Sequence, residues 1–123
     1  MVQIIKDKTR NTPSIIYDEK NKCVYFEGDC TPEDSVFFFE SFIPKLLNLI
    51  NENKASSLNF NLNYYNSSSA KCFLDMFITI SKIHNIKNSL KVEWQFDNED
   101  IEMKEAGETF EIITKLDFKF IEN

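Results

Sequence analysis

Glycine, proline and histidine are scarce in this chain, whose 123 residues include two glycines, three prolines and one histidine. Two glycines are too few for a glycine-rich loop that cradles phosphate groups or for a turn-dense β-sandwich. The three cysteines (Cys23, Cys30 and Cys72) are an odd number without C-x-x-C spacing and without a nearby histidine pair. This pattern argues against a disulfide framework and against a zinc site, so we predict three reduced thiols and no bound metal.

Positive charge and long apolar runs are also lacking. Lys and Arg total 14 against 20 Asp and Glu, a net charge of −6, whereas a nucleic-acid-binding domain normally carries a basic face. No stretch approaches the ~18 uninterrupted apolar residues of a membrane span, and residues 1–10 lack the apolar run, ~7–15 residues long, of a signal peptide. We therefore expect a cytoplasmic protein that binds no nucleic acid and does not insert into membranes.

What the chain does have is a large supply of apolar and aromatic side chains. Apolar residues make up 42% of the sequence and 12 residues are Phe, which is enough to bury a core and excludes wholesale disorder. The length fits one domain, since domains commonly contain ~100–150 residues. We therefore predict a single domain over residues 1–123, without an internal linker or repeat.

Alternation of apolar and polar residues predicts five strands. Residues 58–64 alternate Leu, Phe, Leu and Tyr with three asparagines, which is the period of a strand with one apolar face. The asparagine side of this strand must then meet water or another hydrogen-bonding surface. The other predicted strands are Ser14–Tyr17, Cys23–Glu27, Val92–Phe96 and Leu116–Phe120.

Three helices are predicted between these strands. The first has Thr31 as N-cap and Pro32 as its first residue, and runs to Ile50 with a kink or break at Pro44. The second follows a serine cluster and extends to about His84. The third spans residues 98–107, with Gly107 as its C-terminal stop. The order β-β-α-β-α-β-α-β indicates a small α/β domain, with a mixed, mainly parallel sheet and two helix-adjoining faces.

The segment Leu62–Lys71 is the most informative stretch, because a predicted strand passes there into a predicted helix. The start of a helix leaves N–H groups unpaired and carries partial positive charge, so it favours an anion. A serine at this point can serve simply as an N-cap. It can also carry a phosphate of roughly −1.5 to −2 charge, with Lys71 nearby to screen it. Residue types alone leave both alternatives open and favour the simple cap.

Catalytic alternatives are weaker. At a rise of ~1.5 Å per residue, His84 lies roughly 22–25 Å along the helix from the serines, too far to act as their base. The acidic run Asp97–Glu102 could bind a divalent ion in a metal-dependent enzyme, but it lacks the central glycine and the ligand spacing of a calcium loop. A solvated helix face explains it better. We therefore expect no enzymatic activity and no cofactor.

The sequence resembles the SiaC family of bacterial regulatory phosphoproteins, whose fold is related to anti-sigma-factor antagonists of the STAS type. Around the serines this chain has Tyr-Tyr-Asn-Ser-Ser-Ser-Ala-Lys where the family typically has Tyr-Phe-Asn-Thr-Ser-Ser-Ser-Lys. The match runs in order over residues 12–121. Its segments are Thr12–Ile15, Gly28–Asp34, Tyr64–Cys72, Val92–Asp97 and Asp100–Glu108, followed by Phe118 and Phe120 in the closing strand.

The resemblance implies a switch protein without catalysis of its own. In the family, the hydroxyl residue directly after the asparagine is phosphorylated, which here is Ser67. The resemblance implies a dedicated Ser/Thr protein kinase, a PP2C-type phosphatase, and a diguanylate cyclase that the unmodified form binds and stimulates, which links the protein to cyclic-di-GMP and biofilm behaviour. An alternative with the same phosphoacceptor is an anti-sigma-type partner switch that acts on transcription. The residues expected to support Ser67 or contact partners are Tyr65, Asn66, Ser68, Ser69 and Lys71.

Overall fold

The computed structural model describes residues 1–83 and 90–123, so the predicted helix end at His84 lies outside the described residues. Ten elements follow one another along the described chain. The strands are β1 (Val2–Lys6), β2 (Ser14–Asp18), β3 (Cys23–Cys30), β4 (Ser57–Tyr65), β5 (Lys91–Phe96) and β6 (Asp117–Glu122). The helices are α1 (Ser35–Glu40), α2 (Ile43–Asn51), α3 (Ser67–Ser81) and α4 (Ile101–Thr114).

The six strands form one sheet in the order β1-β2-β3-β4-β5-β6. The first three strands pair antiparallel, and the pairs β3–β4, β4–β5 and β5–β6 are parallel. This confirms the predicted α/β class with its mixed, mainly parallel sheet. Strand β1 is an addition to the predicted order: it pairs with β2, although Val2 and Ile4 are exposed.

The helices cover one face of the sheet, so the expectation of two helix-adjoining faces is wrong. Strands β3 to β6 are added in one direction, and right-handed crossovers between such strands place every connecting helix on the same side. The burial pattern agrees: Phe60 and Trp94 are buried on the helix side, whereas Glu93, beside Trp94, lies on the open side. There Asn59 donates to Glu93 at 3.1 Å, as the predicted polar face of β4 requires.

Aromatic rings fill the space between the sheet and the helices. Phe60, at the centre of β4, stacks on Phe26 of β3 with ring centroids 4.3 Å apart and contacts Trp94 of β5 at 5.4 Å. Phe77 of α3 closes over Phe60 at 5.4 Å. Trp94 is fully buried and its Nε1–H donates to the Met103 carbonyl at 2.8 Å, which satisfies the one polar group of the ring. This core fixes α3 and α4 on the sheet.

The helix predicted over residues 31–50 is two helices, which confirms the break expected at Pro44. Pro44 lies in the first turn of α2, where the missing N–H is tolerated. The predicted N-cap at Thr31 is wrong, because Asp34 caps α1 by accepting the Phe37 N–H at 3.0 Å. The Asp34 carboxylate can reach the N–H three residues ahead of it. Thr31 instead lies in the connection after β3, where its N–H donates to the Asn11 carbonyl at 2.7 Å.

Gly107 does not end the acidic helix, contrary to the sequence prediction. Helix α4 continues through it to Thr114, and Lys115 takes the left-handed conformation at its end, with φ of 60°. Gly107 is buried in mid-helix, and a Cβ built there would lie 2.6 Å from Trp94 Cδ1. The glycine therefore allows the close approach of helix α4 to the Trp94 ring.

All three cysteines are free thiols in the described structure. Cys23 and Cys30 are buried, and Cys72 is partly exposed on α3. Burial raises the pKa of Cys30 to about 11, so this thiol stays protonated at neutral pH.

Candidate functional site

The predicted corner between strand and helix is formed where β4 ends at Tyr65 and α3 begins at Ser67. The N-cap between them is Asn66 and not one of the serines, as the sequence favoured, because the Asn66 Oδ1 accepts the Ser69 N–H at 2.9 Å. The Asn66 N–H donates to the Cys30 carbonyl at 3.2 Å, which ties the corner to the end of β3. The backbone just before Ser67 is therefore held by the helix cap and by the end of β3.

The three serines at the start of α3 have different environments. Ser67 is exposed at the first helical position. Ser68 is also exposed, but its Oγ lies 2.7 Å from Ser35 Oγ and 3.2 Å from Asn66 Oδ1. Ser69 is fully buried, with its Oγ 3.3 Å from Ser35 Oγ. A modifying enzyme can reach Ser67 and Ser68, whereas Ser69 has a structural position.

Tyr65 and Lys71 take different positions beside the corner. Lys71 is exposed on the first turns of α3. Tyr65 is half-buried and its ring meets that of Phe73 edge-on, with centroids 6.0 Å apart. Burial, and then the carboxylates of Asp100 and Glu102, raise the pKa of Tyr65. Tyr65 therefore anchors the end of β4, whereas the side chain of Tyr64 beside it is 62% exposed.

Exposed apolar side chains lie at the same edge of the sheet as Ser67. Val36 and Phe37 are on α1, which follows β3, and Phe37 is 72% exposed. Tyr64 is the second-to-last residue of β4, and Ile101 begins α4 after β5. The carboxyl ends of parallel strands share one edge of the sheet, so these four residues and Ser67 are on elements that begin or end at that edge.

Sequence reasoning did not identify Ser35. It is the first residue of α1, it is buried, and its Oγ joins the two serine side chains at positions 68 and 69. Its position, 32 residues before Ser67, gives no local signal of this contact. Only the packing of α1 beside α3 brings the hydroxyls together.

The acidic run at residues 97–102 has a structural explanation. Asp100 is the N-cap of α4 and accepts the Met103 N–H at 3.1 Å, and Asp97 accepts from the Asn123 side chain at 3.4 Å. Within residues 1–83 and 90–123, no three side chains of His, Cys, Asp and Glu converge as metal ligands. None of the described helices is long and apolar enough to cross a membrane.

Removing the Asn66 cap should destabilise the corner. We expect Asn66→Ala to lower the free energy of unfolding by about 1 kcal/mol, because the Ser69 N–H loses its acceptor. Asn66→Asp should keep most of that stability, since a carboxylate accepts the same bond and interacts favourably with the helix N-terminus. Urea unfolding of the three chains checks this. Equal losses for Ala and Asp would show that the cap bond contributes little.

Comparison with known proteins identifies the class to which this fold and corner belong. The model of the SiaC family, described as "SiaC family regulatory phosphoprotein", matches residues 6–123. The chain therefore belongs to the SiaC family of regulatory phosphoproteins, which confirms the resemblance in the sequence.

Solved structures of SiaC from Pseudomonas aeruginosa share the fold. Apo-SiaC is 23% identical and superposes with a TM-score of 0.78, covering 94% of this chain and 95% of that one. This chain also superposes on a chain of the crystal structure of the diguanylate cyclase SiaD in complex with its activator SiaC. The TM-score is 0.80 at 23% identity, and the superposition covers 94% of this chain and 96% of that one. An uncharacterised protein of P. aeruginosa strain UCBPP-PA14 is 25% identical over 103 residues, which are 83% of this chain and 82% of that protein.

Proposed function

We propose that this chain is a bacterial signalling switch without catalytic activity of its own, which binds and activates a diguanylate cyclase when Ser67 carries no phosphate. A dedicated Ser/Thr kinase phosphorylates Ser67, and a PP2C-type phosphatase restores the active form. The observation that carries the proposal is the exposed Ser67 hydroxyl at the first position of α3. The resemblance to the SiaC family implies that the hydroxyl residue at this position is the one that is phosphorylated. The SiaC that activates SiaD shares the fold of this chain.

The surroundings of Ser67 suit a site that a phosphate can switch. The N-terminus of α3 favours an anion, and Lys71 is near enough along the helix to screen it, so the modified chain stays folded. The apolar residues at the same edge, Val36, Phe37, Tyr64 and Ile101, offer a surface for close packing. A phosphate beside them would have to be desolvated on contact, which opposes binding.

The phosphoacceptor can be identified directly. After incubation with the cognate kinase and ATP, we expect intact-mass analysis to show one added phosphate, and Ser67→Ala to abolish it. Ser68→Ala is the matched control, because it removes the neighbouring exposed hydroxyl and should leave the phosphate on Ser67. Peptide mapping that places the phosphate on Ser68, Thr31 or Ser35 would contradict the assignment.

A further inference from the structure

A chain of side-chain hydrogen bonds joins the start of α3 to the start of α1. Asn66 Oδ1 lies 3.2 Å from Ser68 Oγ, and Ser68 Oγ lies 2.7 Å from Ser35 Oγ. Ser35 Oγ in turn lies 3.3 Å from Ser69 Oγ. The two inner hydroxyls are enclosed, since Ser35 is 5% exposed and Ser69 is 0% exposed. The outer one, Ser68, is exposed and directly follows Ser67.

Buried hydroxyls at this point have a specific consequence for α1. A buried hydroxyl costs free energy unless it is hydrogen-bonded, so Ser35 depends on its two serine partners. Helix α1 has only six residues, and such a short helix owes its position to tertiary contacts rather than to its own propensity. The Ser35–Ser68 contact therefore helps to set where α1 lies relative to α3, and with it the exposed Val36 and Phe37.

We propose that Ser35 is a positioning residue that transmits the phosphorylation state of Ser67 to α1 through Ser68. The inference rests on the proposed function of Ser67 as the phosphoacceptor. A phosphate on Ser67 Oγ places strong acceptor oxygens beside the Ser68 hydroxyl. Ser68 now donates its single hydroxyl proton to Asn66 Oδ1. To donate to the phosphate instead, its Oγ turns away from both Asn66 and Ser35, and the 2.7 Å contact with Ser35 is given up. Ser35 retains Ser69 as its partner, and α1 shifts together with Val36 and Phe37.

This mechanism gives the phosphate two separate effects on a docked partner. One is local charge at position 67, which needs no structural change. The other is displacement of apolar side chains on α1, which lie on a different element from the phosphate. Removing Ser35 should eliminate the second effect and leave the first intact.

The test installs phosphoserine at position 67 by genetic-code expansion and follows α1 in the isolated full-length protein. The reporters are the amides of Phe38 and Ser41, which are bonded within α1 to the carbonyls of Asp34 and Phe37. In the native background we expect the phosphate to speed their hydrogen exchange by about five- to tenfold. In Ser35→Ala exchange should be fast already, and the phosphate should change it by less than about twofold.

Two further variants separate transmission from simple loosening of α1. Ser68→Ala alters an exposed residue, so the chain keeps its fold, and it should remove the response of α1 to phosphate as Ser35→Ala does. Ser41→Ala is the matched control, because it removes the Ser41 hydroxyl bond to the Phe38 carbonyl at the other end of α1. We expect this variant to loosen α1 and still to respond to the phosphate.

The hydrogen-exchange experiment does not require the cyclase, and cyclase affinity is measured separately. An unchanged exchange rate in the native background, or a phosphate response in Ser35→Ala or Ser68→Ala as large as in the native background, would overturn the role of Ser35. If α1 responds as expected but cyclase affinity is insensitive to phosphoserine, the proposed function fails and the transmission stands. If the phosphate weakens cyclase binding by the same factor with and without Ser35, the transmission fails and the proposed function stands.

Discussion

Phosphoserine at position 67 should weaken binding to the cognate diguanylate cyclase by about 100-fold, which corresponds to about 3 kcal/mol. The physical reason is the desolvation of a group of roughly −1.5 to −2 charge at the contact that the proposed function places between this corner and its partner. Titration calorimetry with the unmodified and the phosphorylated chain measures the effect. Ser67→Asp should give a smaller loss, because a carboxylate has less charge and fewer acceptor oxygens.

The matched control for this prediction places the same charge elsewhere. Asn51 is exposed in the last turn of α2, at the edge of the sheet opposite to Ser67. Phosphoserine at position 51 should change cyclase affinity by less than about twofold at physiological salt, since screening acts over ~8 Å. Strong cyclase binding by the Ser67-phosphorylated chain would contradict the switch. No cyclase binding by the unmodified chain would favour the alternative partner switch that acts on transcription.

The features predicted correctly from the sequence are those determined by short-range periodicity. Strand β4 alternates apolar and asparagine side chains because one face packs on helices and the other is open, and that pattern is visible without a structure. The break near Pro44 follows from a missing N–H, and the helix start after β4 follows from the apolar spacing of the residues beyond it, although the sequence favoured a serine rather than Asn66 as the cap. Each of these depends on atoms within four residues.

The features that were missed depend on tertiary contacts. Gly107 suggested a helix end, and only the position of the Trp94 ring shows why a glycine is needed in mid-helix. Strand β1 exists because it pairs with β2, although its side chains bury little. Ser35 contacts the candidate site only because α1 packs beside α3. Residue types can indicate Ser67 as a candidate site, but they do not show which side chains from other elements lie beside it.

The same tertiary contact reverses the expected effect of a common stabilising substitution. In a helix interior, Gly→Ala ordinarily stabilises by about 1 kcal/mol. At position 107 the added methyl carbon would lie 2.6 Å from Trp94 Cδ1 and 2.8 Å from Phe120 Cε1. Trp94 cannot move aside easily, because it is fully buried and bonded to the Met103 carbonyl. We therefore expect Gly107→Ala to destabilise the protein by about 1–3 kcal/mol.

Calorimetry and urea unfolding check this prediction, with Glu108→Ala as the matched control. Glu108 is the next residue of α4 and is exposed, so its replacement should change stability by no more than about 0.5 kcal/mol. Trp94→Phe provides the sharper test, because a smaller ring makes room for the methyl group. In the Trp94→Phe background, Gly107→Ala should therefore cost less than in the native background, by about 1 kcal/mol. A rise in melting temperature for Gly107→Ala alone would mean that the Trp94 ring does not contact the α4 backbone at this point.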